Sequence, residues 1–139
     1  MDMLAFNNRE KADLEAHGIE AVVLFGSQAQ ETAGPLSDFD FGILVKDPAT
    51  LYSAEKRRKI YDVLYDLLSG KIRKLVDIDI VFLEDAPMEL QAHAAQYGIV
   101  LYERTKHSFC RYRERVINLA ADFAPFRSLF HKAILSRIP

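Results

Sequence analysis

Two stretches of this chain open with a pair of aspartates one residue apart and continue as alternating apolar sequence: Asp38-Phe39-Asp40-Phe41-Gly42-Ile43-Leu44-Val45 and Asp77-Ile78-Asp79-Ile80-Val81-Phe82-Leu83. Alternation of this kind marks a β-strand, whose successive side chains leave on opposite faces. Along the first, Asp38, Asp40, Gly42 and Leu44 share one face and Phe39, Phe41, Ile43 and Val45 the other. Along the second, Asp77, Asp79, Val81 and Leu83 oppose Val76, Ile78, Ile80 and Phe82. Aspartate is poorly suited to strands, and converging carboxylates repel one another more strongly as water leaves them. If the two strands are neighbours in one sheet, three or four carboxylates meet in one small area, an arrangement that a hard divalent cation stabilises. Mg²⁺ is held by one or two carboxylates plus substrate phosphates, and metals held in this way align an attacking oxygen, a phosphorus and a leaving group.

Upstream, the apolar run of residues 20–25 ends at Gly26-Ser27. Glycine lets the backbone approach a ligand closely, and the following N–H groups with the Ser27 hydroxyl can cradle phosphate oxygens. A helix starting at Gln28 would add the attraction of its N-terminal dipole for an anion. Gly-Ser after a strand is a common turn on its own. Ten residues lie between Ser27 and Asp38, and it is the joining of such a phosphate loop to paired carboxylates that makes the signal specific.

The rest of the chain reads as helix 7–17, strand 20–25, a helical turn within 28–33, strand 38–45, helix 51–68 stopped by Gly70, strand 76–83, helix 88–97 stopped by Gly98, and strand 99–102. From 106 to 137 the spacing is helical again, with Pro125 expected to split it in two. At 139 residues, half of them apolar and 27% charged, the chain suits one globular domain with its own core. No apolar run is long enough to span a bilayer, no export signal opens the chain, and a single cysteine, Cys110, leaves no internal disulfide. Cytoplasmic residence is the expectation.

The order Gly26-Ser27, then Ser37-Asp38-Phe39-Asp40, then Asp77-Ile78-Asp79-Ile80-Val81 resembles the nucleotidyltransferase fold of the DNA polymerase beta superfamily. The compact length is similar to that of the minimal nucleotidyltransferase (MNT) antitoxins that accompany HEPN-domain toxins. The resemblance extends through Glu84-Asp85-Ala86-Pro87 to Tyr102-Glu103. It implies an α/β (α+β) two-layer fold, a small mixed sheet covered by helices, with residues 1–104 as the nucleotidyltransferase domain and 105–139 as its C-terminal helical extension. It further implies that Gly26 and Ser27 hold a nucleoside triphosphate, and that Asp38, Asp40 and Asp79 are the catalytic carboxylates ligating Mg²⁺, two ions in all. Asp77 and Ser37 would stand behind them. ATP would be the AMP donor, and the acceptor a hydroxyl, a tyrosine of the partner toxin.

The family usually continues Gly-Ser-x-Ala-Arg-Gly, whereas this chain reads Gly26-Ser27-Gln28-Ala29-Gln30-Glu31, which removes one positive charge near the phosphates and adds a negative one. Two other readings stay open: an antitoxin that neutralises by docking without catalysis, and a small-molecule adenylyltransferase, for which little chain remains to build an acceptor pocket.

Charge is divided unevenly. Residues 1–102 carry ten Lys and Arg against seventeen Asp and Glu, and residues 103–139 eight against three. The overall balance of −2 argues against general nucleic-acid binding. The basic, amphipathic tail (Val116, Leu119, Phe123, Phe126, Leu129, Phe130, Ile134, Leu135) either packs back on the domain or docks a partner, an acidic toxin or a second copy. His17, His93, His107 and His131 lack ligand spacing and read as surface or packing residues. Lys56, Arg57, Arg58 and Lys59 read as a solvated helix face.

Overall fold

The first helix is fixed by a reciprocal cap. The Asn7 side chain accepts from the Glu10 N–H at 2.8 Å, and the Glu10 carboxylate accepts from the Asn7 N–H at 2.9 Å, so two backbone donors of the first turn are satisfied together. A computed structural model describes residues 4–26, 38–72 and 76–135, with side chains to 122. In it α1 (Asn8–Ala16) leads into β1 (Ile19–Phe25), β2 (Phe39–Val45), α2 (Ala54–Lys71), β3 (Ile78–Phe82), α3 (Met88–Tyr97), β4 (Ile99–Glu103) and α4 (Ser108–Leu135). Short 3-10 helices cover Pro48–Tyr52 and Leu83–Asp85. Removing the cap with Asn7→Ala is expected to cost about 1 kcal/mol of stability, read as a lower urea midpoint with an unchanged slope.

The four strands form one mixed sheet in the order β3-β2-β1-β4. β1 pairs antiparallel with β2 and with β4, and β2 pairs parallel with β3. The parallel pair needs a crossover, which α2 supplies. Phe39, Phe41, Ile43 and Val45 pack with Val22 and Leu24 of β1 beneath Leu14 of α1 and Ile60, Leu64 and Leu68 of α2. The expected mixed sheet under helices is therefore present.

The face that bears the aspartates is not open along its whole length, as an acidic face opposite a helix-covered one would be. Leu44, Val23, Phe25 and Leu83 on that face form a second core with Ala94 and Ala95 of α3 and Phe109, Tyr112 and Val116 of α4. Gly42 allows this packing, because a Cβ there would come within 2.8 Å of the Leu83 side chain. The aspartates occupy only the remaining end of the face.

Several boundaries differ from the pattern reading. The helix expected from 51 starts at Ala54, because residues 48–52 form a 3-10 helix and the Ser53 side chain caps α2. Gly70 does not end α2, which continues to Lys71, where Nζ reaches Glu10 at 2.8 Å and the Ala5 carbonyl at 2.7 Å and holds the last turn in place. Pro125 does not split the tail; α4 runs through it, with the proline removing one backbone bond of a 28-residue helix. β3 is shorter than 76–83, because the chain turns into a 3-10 helix at Leu83.

The first part of the tail packs back on the domain. Tyr112 donates to Gln91 Oε1 at 2.8 Å, and Arg113 Nε donates to the Ala95 carbonyl at 2.6 Å while its guanidinium lies over the Phe109 ring. The side chains expected to dock from Phe123 onward lie outside the described residues, as does the turn expected within 28–33. Among the described residues, no helix is long and apolar enough to cross a membrane.

Candidate active site

At one end of the sheet the C-terminus of β1 meets the N-termini of β2 and β3. The register places Phe25 opposite Asp40 and Asp40 opposite Asp79, so one row runs across three strands. Side chains in such a row stand on one face. The Phe39 N–H donates to the Asp77 carbonyl at 3.0 Å, which carries the pairing of β2 with β3 one step further and sets Asp38 and Asp77 at the solvent edge. Asp38, Asp77 and Asp79 are exposed, and Asp40 is half-buried.

The carboxylates of Asp40 and Asp79 lie within hydrogen-bonding reach of each other. Burial, then this contact, then the charges of Asp79 and Asp38 push the Asp40 carboxyl above the usual carboxylate range, and His93 opposes the shift. Two carboxylates held at such range are favourable only with a proton or a cation between them.

Gly26 closes the site from the β1 side. Its φ is +75°, in the left-handed region, and a Cβ on it would overlap the Asp40 carboxylate. The backbone at the end of β1 can therefore lie directly against the acidic row, which no other residue type would allow.

Among the described residues, no three His, Cys, Asp or Glu side chains form a ready ligand set for a metal ion. The strands supply a pair, Asp40 and Asp79, with Asp38 beside it. That donor set fits Mg²⁺, which takes one or two carboxylates and completes its shell with water and phosphate oxygens. The all-protein cages of Zn²⁺ need more ligands than these.

The profile of the polymerase beta nucleotidyltransferase family matches residues 10–107. The chain belongs to that family. A comparison with curated proteins returns no match. Among solved structures, this chain is similar to a chain of a toxin–antitoxin crystallised with AMP-PNP, at 21% identity and TM-score 0.67 over 93% of this chain and 99% of that one. It is also similar to a chain from a Shewanella oneidensis complex of MNT antitoxin with tri-AMPylated HEPN toxin, at 17% identity and TM-score 0.60 over 90% and 95%. A chain of the MntA–HepT toxin–antitoxin matches at 16% identity and TM-score 0.60 over 93% and 99%. At these identities the likeness establishes a shared fold.

The structure thus brings together Asp40, Asp79 and Gly26 of the sequence-predicted set, with Asp38 and Asp77 next to them at the exposed strand edge. Ser27, Ser37, Gln30 and Glu31 lie outside the described residues. His93, read from the sequence as a surface or packing residue, packs, its ring edge-on to Phe25 at 6.3 Å, but it also lies close enough to Asp40 to favour that group's ionised form. Only the sheet order, which seats α3 over β1, brings it there; its spacing from the other histidines carries no such signal.

Proposed function

We propose that this chain is an Mg²⁺-dependent nucleotidyltransferase that moves AMP from ATP to a tyrosine hydroxyl of a HEPN-type partner, and so acts as the antitoxin of a toxin–antitoxin pair in the cytoplasm. The observation that carries this reading is the register of Asp40 against Asp79, with Asp38 beside them and the Gly26 backbone pressed against the row. The shared fold with a chain from a toxin–antitoxin crystallised with AMP-PNP, and with one from an MNT–HEPN complex whose toxin is AMPylated, supports the choice of donor and partner.

Asp38, Asp40 and Asp79 would hold Mg²⁺, two ions by the family resemblance, and the bound metal would supply charge neutralisation on the triphosphate. Gly26, with Ser27 after it, would cradle the phosphate oxygens by backbone N–H groups. The acceptor oxygen forms a bond to the α-phosphorus, the bond from that phosphorus to the β-bridging oxygen breaks, and pyrophosphate leaves. A carboxylate of the exposed row takes the hydroxyl proton. Positioning and charge do the rest. Residues 1–104 would carry this chemistry, with 105–139 as its helical extension.

The Gln30-Glu31 departure favours one other reading, an antitoxin that neutralises by binding alone. Incubating the purified chain with its cognate HEPN partner, Mg²⁺ and ATP labelled at the α-phosphate separates the two. Label on the partner that disappears with EDTA is expected; a neutralised partner that carries no label would establish the binding reading instead.

A further inference from the structure

The side of the site opposite the acids is aromatic. β4 begins at Ile99, which pairs with Leu24, so the C-terminus of α3 arrives directly beside Phe25 and Gly26. His93 and Tyr97 are four residues apart on α3 and stand one above the other on one helix face. Their ring centroids are 5.0 Å apart, tilted at 52°, and His93 meets Phe25 edge-on at 71°. Ala94 and Ala95 occupy the buried face of the same helix, whereas Tyr97 is 42% exposed and Ile99 beyond it 37% exposed. Across the end of the sheet the order is therefore carboxylates on β2 and β3, glycine backbone at the end of β1, then an exposed aromatic shelf on α3. That is the polarity of a mononucleotide, with phosphates at one end and a flat base at the other.

We propose that Tyr97, backed by His93, is the surface on which the nucleobase of the bound nucleotide stacks. This rests on the nucleotidyltransferase reading above and assigns the base end of the same site. An aromatic shelf of this kind favours large π-surfaces and discriminates little between one purine and another. ATP and GTP bind alike, and UTP binds more weakly.

Calorimetry with Mg²⁺ tests this with two probes, ATP and inorganic tripolyphosphate, the second carrying the phosphates without a base. Tyr97→Ala is expected to weaken ATP binding about tenfold, as loss of one base stack does, and to leave tripolyphosphate binding unchanged. Tyr97→Phe keeps ATP binding at the level of the unaltered chain. Tyr97→Leu, which retains bulk without a π-face, behaves as the alanine variant does and separates stacking from packing. Equal weakening of both probes by Tyr97→Ala, or a leucine variant with full affinity, overturns the stacking role. Unchanged ATP binding in both Tyr97→Ala and His93→Ala, while Asp40→Asn abolishes it, overturns the shelf and leaves the nucleotide site standing. An unaltered chain that binds neither probe overturns both.

Discussion

Replacing Asp40 with asparagine is expected to slow AMP transfer by about a thousandfold, the order that several kcal/mol of lost charge stabilisation represents. The same change is expected to raise the melting temperature of the metal-free protein at neutral pH. Asp40 is the half-buried member of the acidic row, and burial followed by contact with Asp79 raises its carboxyl above the ordinary range. A carboxyl raised in this way binds its proton more tightly when folded than when unfolded. Its contribution to stability is complete below the ordinary aspartate range and is lost as pH rises through the raised value. At neutral pH the ionised Asp40 therefore works against the fold, and the neutral amide relieves the repulsion. Thermal melts in EDTA across a pH series should show the variant above the unaltered chain at neutral pH, with the gap closing as the solution is acidified. A variant that loses both activity and stability at every pH would mean that Asp40 serves as a structural group.

A single methyl group on Gly26 is expected to damage both the site and the fold. Gly26→Ala meets two penalties. An L-residue at φ +75° costs about 1–2 kcal/mol of backbone energy, and the new Cβ occupies the space of the Asp40 carboxylate. Asp40 must then rotate out of the row that it shares with Asp79. The expected result is a loss of about 2 kcal/mol in urea unfolding, together with nucleotide binding too weak to measure by the same calorimetry that resolves the parent. Gly70→Ala, at a position where a Cβ meets nothing within 4 Å, serves as the comparison and leaves binding unchanged.

Much of this was legible in the chain itself. Strict alternation after Asp38 and Asp77 identifies two strands and predicts which side chains share a face, and the pairing of Asp40 with Asp79 follows once the strands are neighbours. Helix 7–17 was legible as well, although its reciprocal Asn7–Glu10 cap emerges only in the structure. What the pattern could not supply was sheet order. His93 and Tyr97 carry no local signal, because only the β1–β4 pairing brings α3 to the acidic end. The coverage of both faces did have a signal: Leu44, Val81 and Leu83 are apolar residues on the same strand faces as the aspartates, and they call for a partner layer. Gly70 and Pro125, breakers by type, do not break their helices. A ladder anchored on Lys71 or extended over 28 residues outweighs one unfavourable residue.

In the proposed mechanism, carboxylates from β2 and β3 together form one metal site completed by a nucleotide. Electron paramagnetic resonance of Mn²⁺, standing in for Mg²⁺ in the presence of α,β-methylene ATP, tests it without any acceptor and without turnover. Tight Mn²⁺ uptake that requires the nucleotide, and that is lost alike in Asp40→Asn and Asp79→Asn, is the expected result. Uptake by Asp79→Asn indistinguishable from that of the unaltered chain would show that β3 contributes nothing to the site and would contradict the claim.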